Sequence, residues 1–236
     1  MPNPIQYGGE ISLNITAFDP TGNQFYPSIV GTASGHIFAA WNTDNGHQLG
    51  FFRTDGATAP PLRKFSVSNG TLQAGNSQID VAALADGRMI AAWSSNAVDA
   101  AGDINYQTFD LVAGAGALVP LAQVGAQTEA VIASTAALSQ FTILYKGASA
   151  TTFDVFRKSF NADGSVANSE GELSGGLNVT GVQEQPNIAG LSDGRQITVW
   201  ADRNDGSIKG RFLSSIGSRT GATLTLSTTV PLSFST

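Results

Sequence analysis

The chain has no cysteine, which excludes disulfides, thiolate nucleophiles and zinc–thiolate sites together and leaves the redox compartment open. Charge is scarce as well: only 13% of the 236 residues are Asp, Glu, Lys or Arg, about half the usual share. The formal balance of −6 argues against a nucleic-acid partner or an anionic membrane surface. No apolar run approaches the ~18–20 residues of a membrane helix, so a membrane span is not expected. Residues 1–10 (MPNPIQYGGE) have neither a basic leader nor an apolar stretch, and no cleavable signal peptide is visible. What is plentiful is glycine, 27 residues, beside 42% hydrophobic residues, enough for a sizeable core.

The apolar material is organised as a fourfold repeat. Trp41, Trp93 and Trp200 each end a short apolar run (IFAAW, MIAAW, QITVW), and Tyr145 ends FTILY in the same way. These four aromatics are spaced by 52, 52 and 55 residues. A turn lies six residues before each of them, at Gly35, Gly87, Ser139 and Gly194. Another apolar run starts fourteen residues before each, at Pro27, Ile79, Val131 and Pro186. Asp86-Gly87 and Asp193-Gly194 are strong hairpin signals, since both residues tolerate positive φ. A third strand ends at Phe52, Phe109, Phe160 and Phe212, and a weaker fourth strand fills each remaining gap. Runs this short, β-branched and without helical period are strands.

A ~50-residue unit of four antiparallel strands is a propeller blade. The expected fold is therefore all-β and β-propeller-like, one repeat domain spanning 1–236, with a β-sandwich or a solenoid as the competing architecture. Its repeats run over about 19–70, 71–124, 125–177 and 178–228, with an extra N-terminal strand at 9–17. That extra strand (GEISLNIT) is similar to GELSGGLNVT before the fourth copy. It could close the ring or join a neighbouring subunit, which makes it the candidate device for a homo-oligomer. Trp41, Trp93, Tyr145, Trp200, Phe52, Phe109, Phe160 and Phe212 form the expected repeated core.

PNIAGLSDGRQITVW and IDVAALADGRMIAAW resemble the P-x-V-A-x-L-x-D-G-x-x-V-x-x-W repeats of large secreted and surface proteins of proteobacteria, including type I secreted adhesin-like proteins. DINYQTFDLVAG and VFRKSFNADG resemble the second half of that unit. The third copy departs from it, with Tyr145 for Trp and Leu138-Ser139 for Asp-Gly, and the Gly/Asp-rich calcium-binding nonapeptides are absent. The resemblance implies a bacterial protein at the cell surface or outside the cell.

Candidate chemistry is sparse. Asp44, Asp202 and Asp205 lie in polar loops after the aromatic position and offer the hard oxygens calcium prefers, though the same residues also make tight turns. Calcium is the one candidate cofactor. His36 and His47, the only histidines, are read as exposed loop residues, and no G-x-S-x-G elbow supports a nucleophilic serine. Glu129 and Glu184 occupy the same repeat position at one end of the ring, as a repeated binding site or a repeated structural contact would. Tyr26, Tyr106 and Phe153 fall outside the repeated core and could line a ligand groove, since sugars stack on aromatic faces, or could simply extend blade packing. These features lead to an expected non-enzymatic, adhesin- or lectin-like module that binds carbohydrate or protein through its blade loops. The alternatives are a structural subunit of a surface layer, filament or virus particle, and a glycan-processing enzyme whose two carboxylates would come from Asp80, Glu129, Asp154 and Glu184.

Overall fold

The computed structural model describes residues 22–32, 35–44, 46–53, 64–67, 78–96, 102–121, 125–135, 140–148, 152–173 and 181–227. The expected N-terminal strand at 9–17 lies outside the described residues, as does the Leu138-Ser139 turn. The described residues form sixteen strands and no helix, in four four-stranded antiparallel sheets. Blade 1 is β1 (Gln24–Gly31), β2 (His36–Thr43), β3 (Gly46–Arg53) and β4 (Lys64–Val67). Blade 2 is β5 (Ile79–Ala83), β6 (Met89–Ser95), β7 (Asp103–Asp110) and β8 (Gly114–Pro120). Blade 3 is β9 (Gln127–Thr135), β10 (Gln140–Ala148), β11 (Phe153–Asn161) and β12 (Val166–Glu172). Blade 4 is β13 (Gln183–Gly190), β14 (Gln196–Asp202), β15 (Ser207–Leu213) and β16 (Arg219–Ser227). Each is a meander with its strands in sequence order, the propeller-like architecture expected from the repeat.

The first strand of every blade borders a central channel. Residues of β1, β5, β9 and β13 together line a cavity of about 420 Å³ at each of its two ends. One end, where these strands begin, is polar, with Ser28, Gln78, Asp80 and Asn187. The other is lined mainly by small and aliphatic residues such as Ile29, Val81, Ala83 and Leu191.

Three apolar clusters fill the spaces between blades. Phe38 and Phe51 of blade 1 meet Met89, Trp93 and Phe109 of blade 2. On the opposite face of blade 2, Ile90, Ile104 and Tyr106 meet Phe141, Tyr145 and Phe160 of blade 3. Leu144, Val155 and Leu173 of blade 3 then meet Ile188, Trp200 and Leu213 of blade 4. The repeated aromatics therefore face the preceding blade, and alternate residues face the following one, as the period of two demands. Ala39, Trp41 and Phe52 on the remaining face of blade 1 are buried too. Among the described residues no such cluster joins blade 4 to blade 1. Leu224, opposite Gly210 on the last strand pair, and Leu226 are exposed.

One expected core residue is displaced. In blades 2 and 3 the third-strand phenylalanine shares a face with the repeated aromatic: Phe109 sits opposite Met89, and Phe160 opposite Phe141. In blade 4 the residue opposite Gln196, on the Trp200 face, is Leu213, and it is Leu213 that enters the cluster. Phe212 pairs with Ile197 on the other face, half-buried beneath the Arg195 guanidinium at 5.2 Å. A one-residue difference between Trp and the end of the third strand flips the side chain to the other face.

Inner strands approach closely where they converge. Asp80 in β5 is the staple: its Oδ1 accepts from Ser28 Oγ of β1 at 2.5 Å and from Val81 N at 2.9 Å, and its Oδ2 accepts from Ile132 N of β9 at 2.9 Å. One carboxyl thus ties three blades. Gly190 at the end of β13 faces the backbone of β9, and a Cβ there would stand 2.5 Å from Ser134 O. The obstacle is backbone, which cannot step aside as a flexible side chain would. Gly190→Ala is expected to lower stability by about 1–3 kcal/mol through overpacking. A urea unfolding midpoint equal to that of the parent would show that β9 and β13 are not held this tightly.

Candidate functional site

The polar end of the channel is shaped by bulges. Three inner strands each carry a non-glycine residue at positive φ near their start: Tyr26 (53°), Glu129 (58°) and Gln185 (52°). Strand pairing shifts register at the same places, between Phe25 and Ser28, Leu144 and Lys146, and Glu184 and Asn187. Such residues cost on the order of 1 kcal/mol each and persist only where their surroundings hold them. Pro27 and Pro186 follow two of them, placed where a ladder N–H is not required. Bulges of this kind re-aim side chains, and here they bring Glu129 and Glu184 together.

The two glutamates, on neighbouring inner strands, share one lysine. Lys146 Nζ of β10 lies 2.9 Å from Glu184 Oε2 and 3.4 Å from Glu129 Oε1. Glu129 Oε2 also accepts the Gln185 amide at 2.5 Å, so blade 3 braces the bulge of blade 4. Glu184 Oε1 is paired with Arg203 Nε. Burial of Glu184 works to raise its pKa. Hydrogen bonds and charge from Lys146 and Arg203 outweigh that and hold it below the ordinary glutamate value, so it is ionised at neutral pH. Asp80, in the adjacent cavity, is shifted the other way: burial raises its pKa, against the three hydrogen bonds it accepts.

Two exposed aromatics flank this end. Tyr26 is 46% exposed and lines the cavity, and Phe153 is 39% exposed with Lys146 Nζ 5.3 Å above its ring. Tyr106 does not join them. It is 3% exposed and packs against Phe141 and Phe160 between blades 2 and 3, because its position in β7 alternates inward. The groove expectation for Tyr106 is therefore wrong. The three aspartates read as cation ligands are not brought together either. Asp44 in blade 1 accepts the Asn23 amide at 2.9 Å. Asp202 and Asp205 in blade 4 accept the amides of Asn204 and Ser207, each at 3.0 Å, and Asp205 also pairs with Lys209 at 2.5 Å. The amide bonds of Asp202 and Asp205 close local turns, that of Asp44 ties the turn after β2 to the start of β1, and no group of three or more His, Asp or Glu is gathered among the described residues.

No family model matches this chain, and no curated protein matches it. Solved structures do share its fold. An α-L-arabinofuranosidase from Fusarium graminearum, in complex with an iminosugar inhibitor, aligns at TM-score 0.58 and 14% identity over 88% of this chain and 67% of its own. An α-L-arabinanase from Penicillium chrysogenum bound to arabinobiose aligns at TM-score 0.57 and 16% identity, over 85% and 66%. A Dyadobacter fermentans protein of unknown function aligns at TM-score 0.61 and 11% identity, over 89% and 66%. The chain thus spans about two thirds of the length of these structures. The expectation of a non-enzymatic binding module is overturned here, because the similar structures of stated activity are glycan-processing enzymes. No motif in the sequence announces that Glu129 and Glu184 converge on Lys146.

The histidine reading also needs correction. His47 is no loop residue: it lies in β3, fully buried, with Nδ1 3.0 Å from Asn42 Oδ1 and its ring edge-on to Trp93 at 6.1 Å. Burial pushes its pKa down to about 3, with a backbone contact at Ser94 working the other way. Between pH 6.5 and about 3 the unfolded chain then binds a proton that the folded chain does not. Stability contributed by neutral His47 is complete above pH 6.5 and falls as pH drops, by up to ~1.4 kcal/mol per pH unit within that window. His47→Gln is expected to flatten the dependence between pH 6.5 and 5, read from urea midpoints. An unchanged slope would place the acid sensitivity elsewhere.

Proposed function

We propose that this protein cleaves glycosidic bonds at the polar end of its channel, with Glu129 and Glu184 as the working pair. The observation that carries the reading is the meeting of two carboxylates from adjacent inner strands on one ammonium, beside a cavity of about 420 Å³. Because a single Nζ reaches both, at 2.9 and 3.4 Å, their nearest oxygens stand closer than the ~6.5–9.5 Å left for water in an inverting pair. A retaining scheme, which needs no room for water between the pair, is the working one. Glu184, held ionised, attacks the anomeric carbon. Glu129 protonates the departing oxygen and then takes a proton from the water that releases the sugar. Lys146 stands between the two in the free protein, so a sugar reaches them as the ammonium turns aside over the Phe153 ring. Phe153 and Tyr26 supply faces on which a sugar can stack. The solved structures of similar fold support an arabinose-containing glycan as the first substrate to try, and the repeat resemblance supports action at a bacterial surface or outside the cell.

The test is hydrolysis of aryl glycosides and arabinan oligosaccharides by the parent, Glu184→Gln and Glu129→Gln. Each substitution is expected to lower kcat by about 10²–10⁴-fold while leaving the unfolding midpoint within reach of the parent's. Turnover that survives both substitutions would remove these residues from the reaction.

A further inference from the structure

A second charged cluster lies at the outer part of the interface between blades 3 and 4, away from the channel, and it brings three arginines onto facing strands. Arg157 of β11 alternates with Val155, which is buried in the cluster between these blades, so its side chain enters the same interface. Arg211 alternates with Leu213 on β15, and Arg219 pairs with Leu213 across β16; both therefore face blade 3. The first two guanidiniums meet along one stretch of β12. Arg211 Nη1 donates to Leu173 O at 3.0 Å, and Arg157 Nη2 lies 3.9 Å from where a Cβ on Gly171 would stand. The missing side chain at Gly171 leaves that space open.

Arg157 is only 7% exposed, yet its Nε and Nη1 have no hydrogen-bond partner, and neither does the buried Nε of Arg211. Among the described residues no carboxylate pairs with either side chain. Burial lowers the pKa of Arg157, and the charges of Arg219 and Arg211 push in the same direction, which places the three within electrostatic reach. Arg211 Nη2 donates to Gly221 O at 2.8 Å, which leaves its Nε as the donor it offers beside the two of Arg157, and buried guanidinium donors without partners are costly unless an oxyanion takes them up. Asn168 Nδ2, bonded to Ser218 Oγ at 2.7 Å, adds neutral polar groups nearby, and exposed Arg219 gives the interface an opening to solvent.

We propose that Arg157, Arg211 and Arg219 form an oxyanion site between blades 3 and 4 that takes a phosphate or sulfate group, either as a free ion or as an ester on a sugar. The site is independent of the glycosidase reading, since it lies on different strands and involves neither glutamate. It is tested by titration calorimetry in chloride buffer of fixed ionic strength, with inorganic phosphate, inorganic sulfate and glucose 6-phosphate as probes. Saturable one-to-one binding of at least one probe is expected. Tighter binding of the ester than of inorganic phosphate identifies the bound group as part of a sugar, and the reverse order identifies a free ion. Arg157→Met removes the buried charge while keeping its volume, so the fold is retained, and Kd is expected to rise at least tenfold. Arg219→Gln, at an exposed position, is expected to raise it at least threefold. No saturable binding of any probe, or a Kd within twofold of the parent's in both variants, overturns the site.

Discussion

Every blade is a four-stranded sheet with two apolar faces, and the arrangement follows from the need to bury both. A single hairpin sheet cannot do so alone, and a neighbour on each side can. The repeated aromatic of one blade accordingly fills the face of the blade before it: Trp93 against Phe38, and Tyr145 against Ile90 and Ile104. Stacking of this kind forces the first strands to converge, and convergence leaves little room at the axis. That is why Gly190 faces bare backbone and why Asp80, a carboxyl, is tolerated among three strands: its lone pairs meet two amides and a hydroxyl.

Convergence also explains the bulges. Strands that meet at an axis must splay at the mouth of the channel, and an extra residue at positive φ is how a strand bends without losing its ladder altogether. Tyr26, Glu129 and Gln185 occupy those places. The strain is offset by groups from neighbouring strands, as when Glu129 accepts the amide of Gln185. The carboxylates at the mouth are thus held by the same contacts that shape it, and their spacing is a property of the scaffold rather than of flexible loops.

How much of this was legible depends on the distance over which each feature is set. The blades are set locally, by turn residues and by the alternation before each aromatic, and the offsets around Trp41, Trp93, Tyr145 and Trp200 carry them in full. Phe212 was misread because counting from an aromatic cannot reveal the parity of a loop, and in blade 4 Leu213 lands on the buried face. Tyr106 and His47 were misread for a related reason. A single polar-tipped residue in a strand reads as a groove or loop candidate until its face is known, and both faces of these central strands are covered. Glu129 and Glu184 were recognised as equivalent positions. Their junction through Lys146 was hidden, because lysine 146 follows the aromatic of the third copy only, and the bulges that aim the glutamates leave no residue signature beyond Pro27 and Pro186.

The three interfaces are not alike, and the difference bears on where chemistry can reside. Blades 1 and 2, and blades 2 and 3, join through dense aromatic packing, in which Phe38, Phe51 and Phe109, or Tyr106, Phe141 and Phe160, touch one another. Between blades 3 and 4 the cluster is smaller, with Trp200 its one aromatic ring. Its place is taken by a buried polar network, in which Thr142 Oγ1 meets Ser159 Oγ and Gln196 Oε1, both at 2.8 Å, and Gln196 Nε2 donates to Ala133 O. A polar network fixes register more sharply than interchangeable apolar contacts do, since any slip leaves buried groups unpaired. Both charged clusters of this sparsely charged chain flank that network: Glu129, Lys146, Glu184 and Arg203 at the channel end, and the three arginines at the outer end. Charged side chains are held at fixed spacing where polar partners define the geometry, as Asp80 is where blades 1, 2 and 3 meet, and between blades 3 and 4 a whole network of such partners is present.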